Sequence, residues 1–195
     1  MANNLLGARA KLVNIRAGIK QRGVTLMELI AGLAVMAVIV VGALALFNTA
    51  NNAQRGMQLT QDVTALRGAV THLWMGQGGY GNVSLVPALI AAGRVPGTLR
   101  ATATGPLQHQ TGVIDILGAG QRYHVVVTGL SQAVCIDLLT GASGWIEVRT
   151  AAGATAYTPG TPLATTATSL FPITPAYATA RCATGNDNVV QFTGS

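Results

Sequence analysis

Gly23-Val24-Thr25-Leu26-Met27-Glu28 joins a basic leader to a long apolar run. The leader, Met1 to Gly23, carries Arg9, Lys11, Arg16, Lys20 and Arg22 and no acid. The run from Val24 to Phe47 holds one charge, Glu28. As a helix rising 1.5 Å per residue, that run is about 36 Å long, enough to span a hydrocarbon core of about 30 Å. All the leader's basic residues precede it, so the leader is expected to stay cytoplasmic and the body to face outward. A carboxylate at the edge of such a span costs roughly 2.5–3.5 kcal/mol even on a lenient insertion scale. Glu28 therefore calls for a use.

The formal net charge is +6, from 12 basic residues and 6 acids. Five of the basic residues lie in the leader. The rest of the chain has seven arginines against six acids, or +1, and no lysine. Without the leader there is no basic stripe of the kind phosphate binding needs, which argues against a nucleic-acid site. Arg55, Arg67, Arg94, Arg100, Arg122, Arg149 and Arg181 are scattered and read as solvated surface. Charged residues are only 9% of the chain, which suits a surface that packs against copies of itself. Cys135 and Cys182 are the only cysteines. Behind an export-type N-terminus an even pair reads as one disulfide, the alternative being two buried thiols.

Three readings of the N-terminus compete. Ala43-Leu44-Ala45 offers a small-x-small site for an ordinary secretory signal, but Glu28 interrupts that signal's apolar region. A plain signal anchor leaves Glu28 unexplained. The order glycine, short gap, glutamate, apolar helix instead resembles the processing site of type IV prepilins. That resemblance implies cleavage between Gly23 and Val24 by a prepilin peptidase, N-methylation of Val24, and a helix that stays attached. It also implies that Glu28 guides subunit assembly by pairing with the terminal amine of a neighbouring copy. The long leader and the Val24 start are similar to type IVb pilins, which include those of enteric and plasmid conjugative pili. The implied partners are further copies of the chain, the peptidase, the inner-membrane assembly machinery and, before assembly, membrane lipid. The rivals are a type II secretion pseudopilin or minor pilin, and a secreted or signal-anchored binding protein.

The expected fold is α+β, a type IV pilin fold: a long N-terminal helix on an antiparallel sheet head with a disulfide-bounded C-terminal region. The expected divisions are a leader over 1–23, a membrane or filament-core helix over 24–47, its amphipathic continuation over 48–75, and a globular head over 76–195. Leu59, Val63, Leu66, Val70 and Leu73 recur at steps of four and three, one face of a helix. Gly42 and Gly56 are its weak points, since glycine costs up to about 1 kcal/mol in a helix. Ser84 to Ala92 reads as a short helix. Val113–Leu117 and Tyr123–Thr128 read as paired strands. Ser131 is placed to cap a helix through Leu139, Trp145–Thr150 reads as a strand, and Thr150–Thr174 as loop. Thr174-Pro175 opens a helix to Cys182, and Val189–Phe192 is a last strand.

Catalytic patterns are decoys. Gly76-Gln77-Gly78-Gly79-Tyr80-Gly81 matches the dinucleotide fingerprint literally, but a helix precedes it where a strand is required; it reads as a helix stop and flexible turn. Gly141-Ala142-Ser143-Gly144-Trp145 lacks the last glycine of a nucleophile elbow. His72, His109 and His124 lack metal-ligand spacing. Asn186-Asp187-Asn188 is a thin calcium pattern, better read as a polar turn. No enzyme, cofactor or metal is expected.

Overall fold

The computed structural model describes residues 25–103, 105–153, 157–163 and 168–195. It divides into two compact units, Met1–Leu44 and Ala45–Ser195. Helix α1, Leu26–Leu73, contributes to both. In the first unit α1 is apolar on every side. In the second it carries the stripe expected from the sequence: Leu59, Val63, Leu66 and Val70 are buried in the main core. Leu73 at the helix end is half-buried.

The remaining elements are α2 (Val86–Ala91), β1 (Leu107–Gln108), β2 (Val113–Ala119), β3 (Arg122–Leu130), α3 (Gln132–Gly141), β4 (Glu147–Ala152), β5 (Thr168–Leu170), α4 (Pro175–Arg181) and β6 (Asn188–Gly194). The strands form one sheet in the order β1-β2-β3-β6-β4-β5, with every pairing antiparallel. The last strand is thus inserted between β3 and β4. Period-two alternation sets the faces. Ile114, Ile116, Tyr123, Val125, Val127, Val148, Val190 and Phe192 join the core of the α1 stripe. Val126 and Val189 face the other way and pack with Leu163.

Caps set the short helices. Ser131 accepts from Val134 N–H and opens α3; Thr174 accepts from Tyr177 N–H and opens α4, with Pro175 in the first turn. Both follow N-cap chemistry. Helix α2 begins two residues later than Ser84 and has no side-chain cap. Ser84 instead makes an isolated bridge to Leu117 on β2.

Two expectations are corrected, and one is extended. The stretch 150–174 is not all loop: β4 runs to Ala152, and β5 pairs with it. The glycine-rich segment is not a free turn, because Tyr80 N–H donates to Gly120 O (2.7 Å) and Gly120 N–H donates to Gly81 O (2.9 Å), tying it along the β2–β3 turn. A Cβ at Gly118 would collide with the Tyr80 carbonyl, so this close backbone approach requires glycine. Gly56 is buried where α1 meets α3, 3.0 Å from Asp137 Oδ2 for an added Cβ, so it serves packing as well as weakening the helix.

Candidate functional site

The N-terminal face of α1 is built from a cap outward. Thr25 precedes the first helical residue. Its carbonyl accepts from Glu28 N–H (3.0 Å) and Leu29 N–H (3.1 Å), and its hydroxyl accepts from Glu28 N–H at 3.3 Å. Thr25-Leu26-Met27-Glu28 therefore has the order of a capping box, with Glu28 at its third helical position. A carboxylate in the first turn also complements the positive end of the helix dipole. Beyond it, every large apolar side chain from Leu26 to Phe47 is exposed, Met27 at 80% and Val38 at 73%. Mean hydropathy over an 18-residue window reaches 2.8, long and apolar enough to cross a membrane. A helix that is apolar all round has no water-facing side, so it belongs in lipid or among other apolar helices.

In the second unit, Cys135 on α3 is bonded to Cys182 at the end of α4, with Cα atoms 5.9 Å apart. Both are buried. The bridge fastens α4, and the turn into β6, to the helix that follows β3. Aromatic rings run through the same core: the Trp145 ring lies 5.2 Å from Phe192 and, edge-on, 6.0 Å from Tyr123, which lies 4.8 Å from Tyr80. Burial pushes the Tyr123 phenol up to about 12. Arg67 of α1 caps this group, its guanidinium 5.4 Å from the Trp145 ring and donating to Ser143 O at 3.1 Å. On the opposite sheet face, buried Asp115 accepts from Tyr157 O–H (2.6 Å) and Gly160 N–H (2.9 Å). Buried Gln191 accepts from Leu163 N–H at 2.5 Å. Two polar side chains of the sheet thereby hold segment 157–163 across it.

Burial lowers the pKa of His109, whose Nε2 lies 2.9 Å from Thr128 O. Burial, and then Arg149, lower that of His124, whose Nδ1 lies 3.0 Å from Thr193 Oγ1. Both rings serve hydrogen bonds within the sheet. Among the described residues no three His, Cys, Asp or Glu side chains gather as metal ligands.

The model of the PilS N-terminal family matches residues 53–195. The chain belongs to the PilS N-terminal family. The matched span starts after the apolar stretch and takes in the disulfide-bounded head. The type IV b pilin of Salmonella typhi is similar in fold, with 17% identity, 68% of this chain and 95% of that chain covered, and a TM-score of 0.51. TcpA, a type IV pilin of Vibrio cholerae El Tor, aligns at 17% identity over 73% of this chain and 99% of its own, with a TM-score of 0.49. No protein of curated function matches significantly. Family and fold together bear out the resemblance to type IVb pilins and the α+β pilin fold.

In this family member, the sequence-derived site residues fall in separate places. Glu28 is exposed in the first turn of α1, and Cys135 and Cys182 are joined in the head. Gly23 and Val24 lie outside the described residues. Thr25 was missed, although Thr-x-x-Glu before an apolar run is its signal. The arginines are not all solvated surface: besides Arg67, Arg149 pairs with Glu147 at 2.7 Å, and Arg181 lies 5.4 Å over the Tyr177 ring. The calcium pattern dissolves, because Asn188 is buried and its amide bonds the backbone of Leu130 and Ala183. His72 is exposed.

Proposed function

We propose that the chain is a structural subunit of a type IVb-like pilus, made as a prepilin and polymerised through its N-terminal helix. The observation that carries this reading is α1 itself. All its large apolar side chains from Leu26 to Phe47 are exposed, with Glu28 the one charge among them. Membership of the PilS N-terminal family and the pilin fold of the head support it.

On this reading a prepilin peptidase cuts after Gly23 and methylates the amine of Val24. The helix first lies in the inner membrane, with residues 1–23 cytoplasmic, and then enters the filament core in extracellular pili. Residues 24–47 supply the core, 48–75 the amphipathic continuation and 76–195 the exterior. In the core, the terminal amine of one subunit meets Glu28 of another. Both charges lose water on burial, but leaving either unpaired costs about 3–5 kcal/mol more. The pair thereby selects one registry among otherwise interchangeable apolar contacts. Function comes from polymerisation, not turnover.

Intact mass and N-terminal sequencing of the mature protein test the processing step. The expected chain begins at N-methylated Val24. A start at Leu46, or an intact N-terminus in cells that contain the peptidase, refutes the prepilin reading. Glu28→Ala is expected to be processed normally and to lose filament yield; normal yield overturns the pairing.

A further inference from the structure

Beside α1 the head contains a cavity of about 580 Å³ to which the proposed function gives no use. It lies between the 52–62 stretch of α1, the turn after β1, the start of α3 and the turn before β6. Its volume falls among small-molecule sites, about 300–1,000 Å³. Leu59, Leu99 and Val134 are its large apolar lining residues, and most of the rest are polar or charged.

Four groups decide what fits. Arg55 is half-buried, and its Nε has no hydrogen-bond partner. Among the described residues the only ion pair is Arg149 with Glu147, so Arg55 has no carboxylate. A buried donor without an acceptor is costly, and more so on a charged group. Buried Asp62 accepts from the Thr98 hydroxyl at 2.7 Å through Oδ1, and Oδ2 has no partner among the described residues. His109 uses Nε2 on Thr128 O, and burial favours its neutral ring, leaving Nδ1 as an acceptor. Asp187 is an exposed lining residue.

With His109 neutral, one arginine and two aspartates leave the lining at −1 (+1 − 2). That charge opposes a phosphate or simple carboxylate. An ammonium group suits the aspartates and leaves the Arg55 Nε–H unanswered. An apolar ligand leaves donors and acceptors alike unmet. A hydroxyl both donates and accepts, so a ligand bearing several hydroxyls answers both the Arg55 donor and the Asp62 acceptor, which lie about two turns apart along α1. Its C–H surface then lies on the apolar lining. We propose that this cavity binds a neutral, hydroxyl-rich ligand, a mono- or disaccharide. The inference does not depend on polymerisation, and a failure of filament assembly leaves it standing.

The test uses the full chain in phosphocholine detergent, because sugar-headed detergents compete. The probes are methyl glycosides of glucose, galactose, mannose and N-acetylglucosamine, with glycine and inorganic phosphate as alternatives. At least one glycoside is expected to shift the Arg55 Nε–H resonance saturably. Arg55→Met is expected to weaken it about tenfold or more, the size of one lost charge-assisted hydrogen bond. Asp187→Ala and Gln110→Ala, both exposed residues of the cavity lining, are expected to weaken it without unfolding and decide the matter if Arg55→Met misfolds. The proposal is overturned if no glycoside shifts a cavity resonance, if glycine or phosphate binds more tightly than every glycoside, or if the folded variants bind as the parent does.

Discussion

Reduction of the Cys135–Cys182 bond should remove a large part of the head's stability. The bond closes a loop with a sequence separation of 47. In the chain-entropy model a loop of that length is worth about 4 kcal/mol at 25 °C, through the unfolded chain it restrains. Domains of this kind are stable by only about 5–15 kcal/mol, so the reduced head should lie near the limit of folding. The assay is urea denaturation of the full chain in micelles, read by tryptophan fluorescence in a Trp74→Phe background so that Trp145 is the reporter. Trp145 is buried against Phe192 and reports the core directly. Oxidised and reduced protein are compared, with the Cys135→Ala, Cys182→Ala double variant as a check on thiol chemistry. The midpoint should fall. The urea slope should rise, because the released chain exposes more surface when unfolded. A loss below about 1 kcal/mol refutes the loop-entropy reasoning. A full loss with an unchanged slope refutes its mechanism and places the effect in native packing between α3 and α4.

Three further outcomes follow from the head. Gly144 has φ +76°, and a Cβ there would collide with the Arg67 guanidinium; Gly144→Ala should cost about 1–3 kcal/mol for backbone strain alone. It should cost measurably less in an Arg67→Ala background, and a double-mutant cycle in urea showing strict additivity would contradict the contact between Gly144 and Arg67. Burial holds the folded pKa values of His109 and His124 below the ordinary imidazole value of 6.5, so the unfolded chain binds more protons just below pH 6.5. Stability should therefore fall as pH drops through 6.5 and level off below the folded values; urea midpoints across that window, flattened by His109→Gln and His124→Gln, check the sign. Asp115→Ala should cost about 2–3 kcal/mol by leaving Tyr157 O–H and Gly160 N–H without their acceptor. It should also bring the raised Tyr157 pKa partway down, burial remaining the first cause, which phenolate absorbance reads.

What the sequence displayed was whatever depends on neighbours close along the chain. The Leu59–Val70 stripe, the caps at Ser131 and Thr174, and the β2–β3 hairpin are local patterns, and each lies where periodicity or turn chemistry put it. Elements made by distant partners were silent. Strand β1 has two residues and β5 three, too short for a period-two signal. Asp115 meets Tyr157 42 positions away, and Arg67 meets Ser143 at 76, so neither acid nor arginine shows its role in its own neighbourhood. Arg67 reads as ordinary surface charge because charge alone carries no record of burial.

The same distinction applies to Glu28, with a twist that the cap introduces. The carboxylate stood out in the sequence because it was alone in an apolar run. Its cap partner, Thr25, did not, although the two share one turn. On the proposed cut, the new amine of Val24 stands one residue before that cap. In a capping box, the glutamate side chain can reach back to the N–H of the cap residue, which brings it beside its own chain's terminus. Glu28 then has two claimants, the amine of its own subunit and that of a neighbour. In a separate subunit in the membrane, the first offsets much of the cost of an isolated carboxylate. On the proposed polymerisation the second must outcompete it, and the net gain is then the difference between the two pairings, smaller than either alone. A subunit built this way is stable while it waits, and it releases little energy for pairing in the wrong register. The bulk of the attraction then comes from the apolar side chains of Leu26 to Phe47, and the charge pair decides where along the helix that attraction is allowed to act.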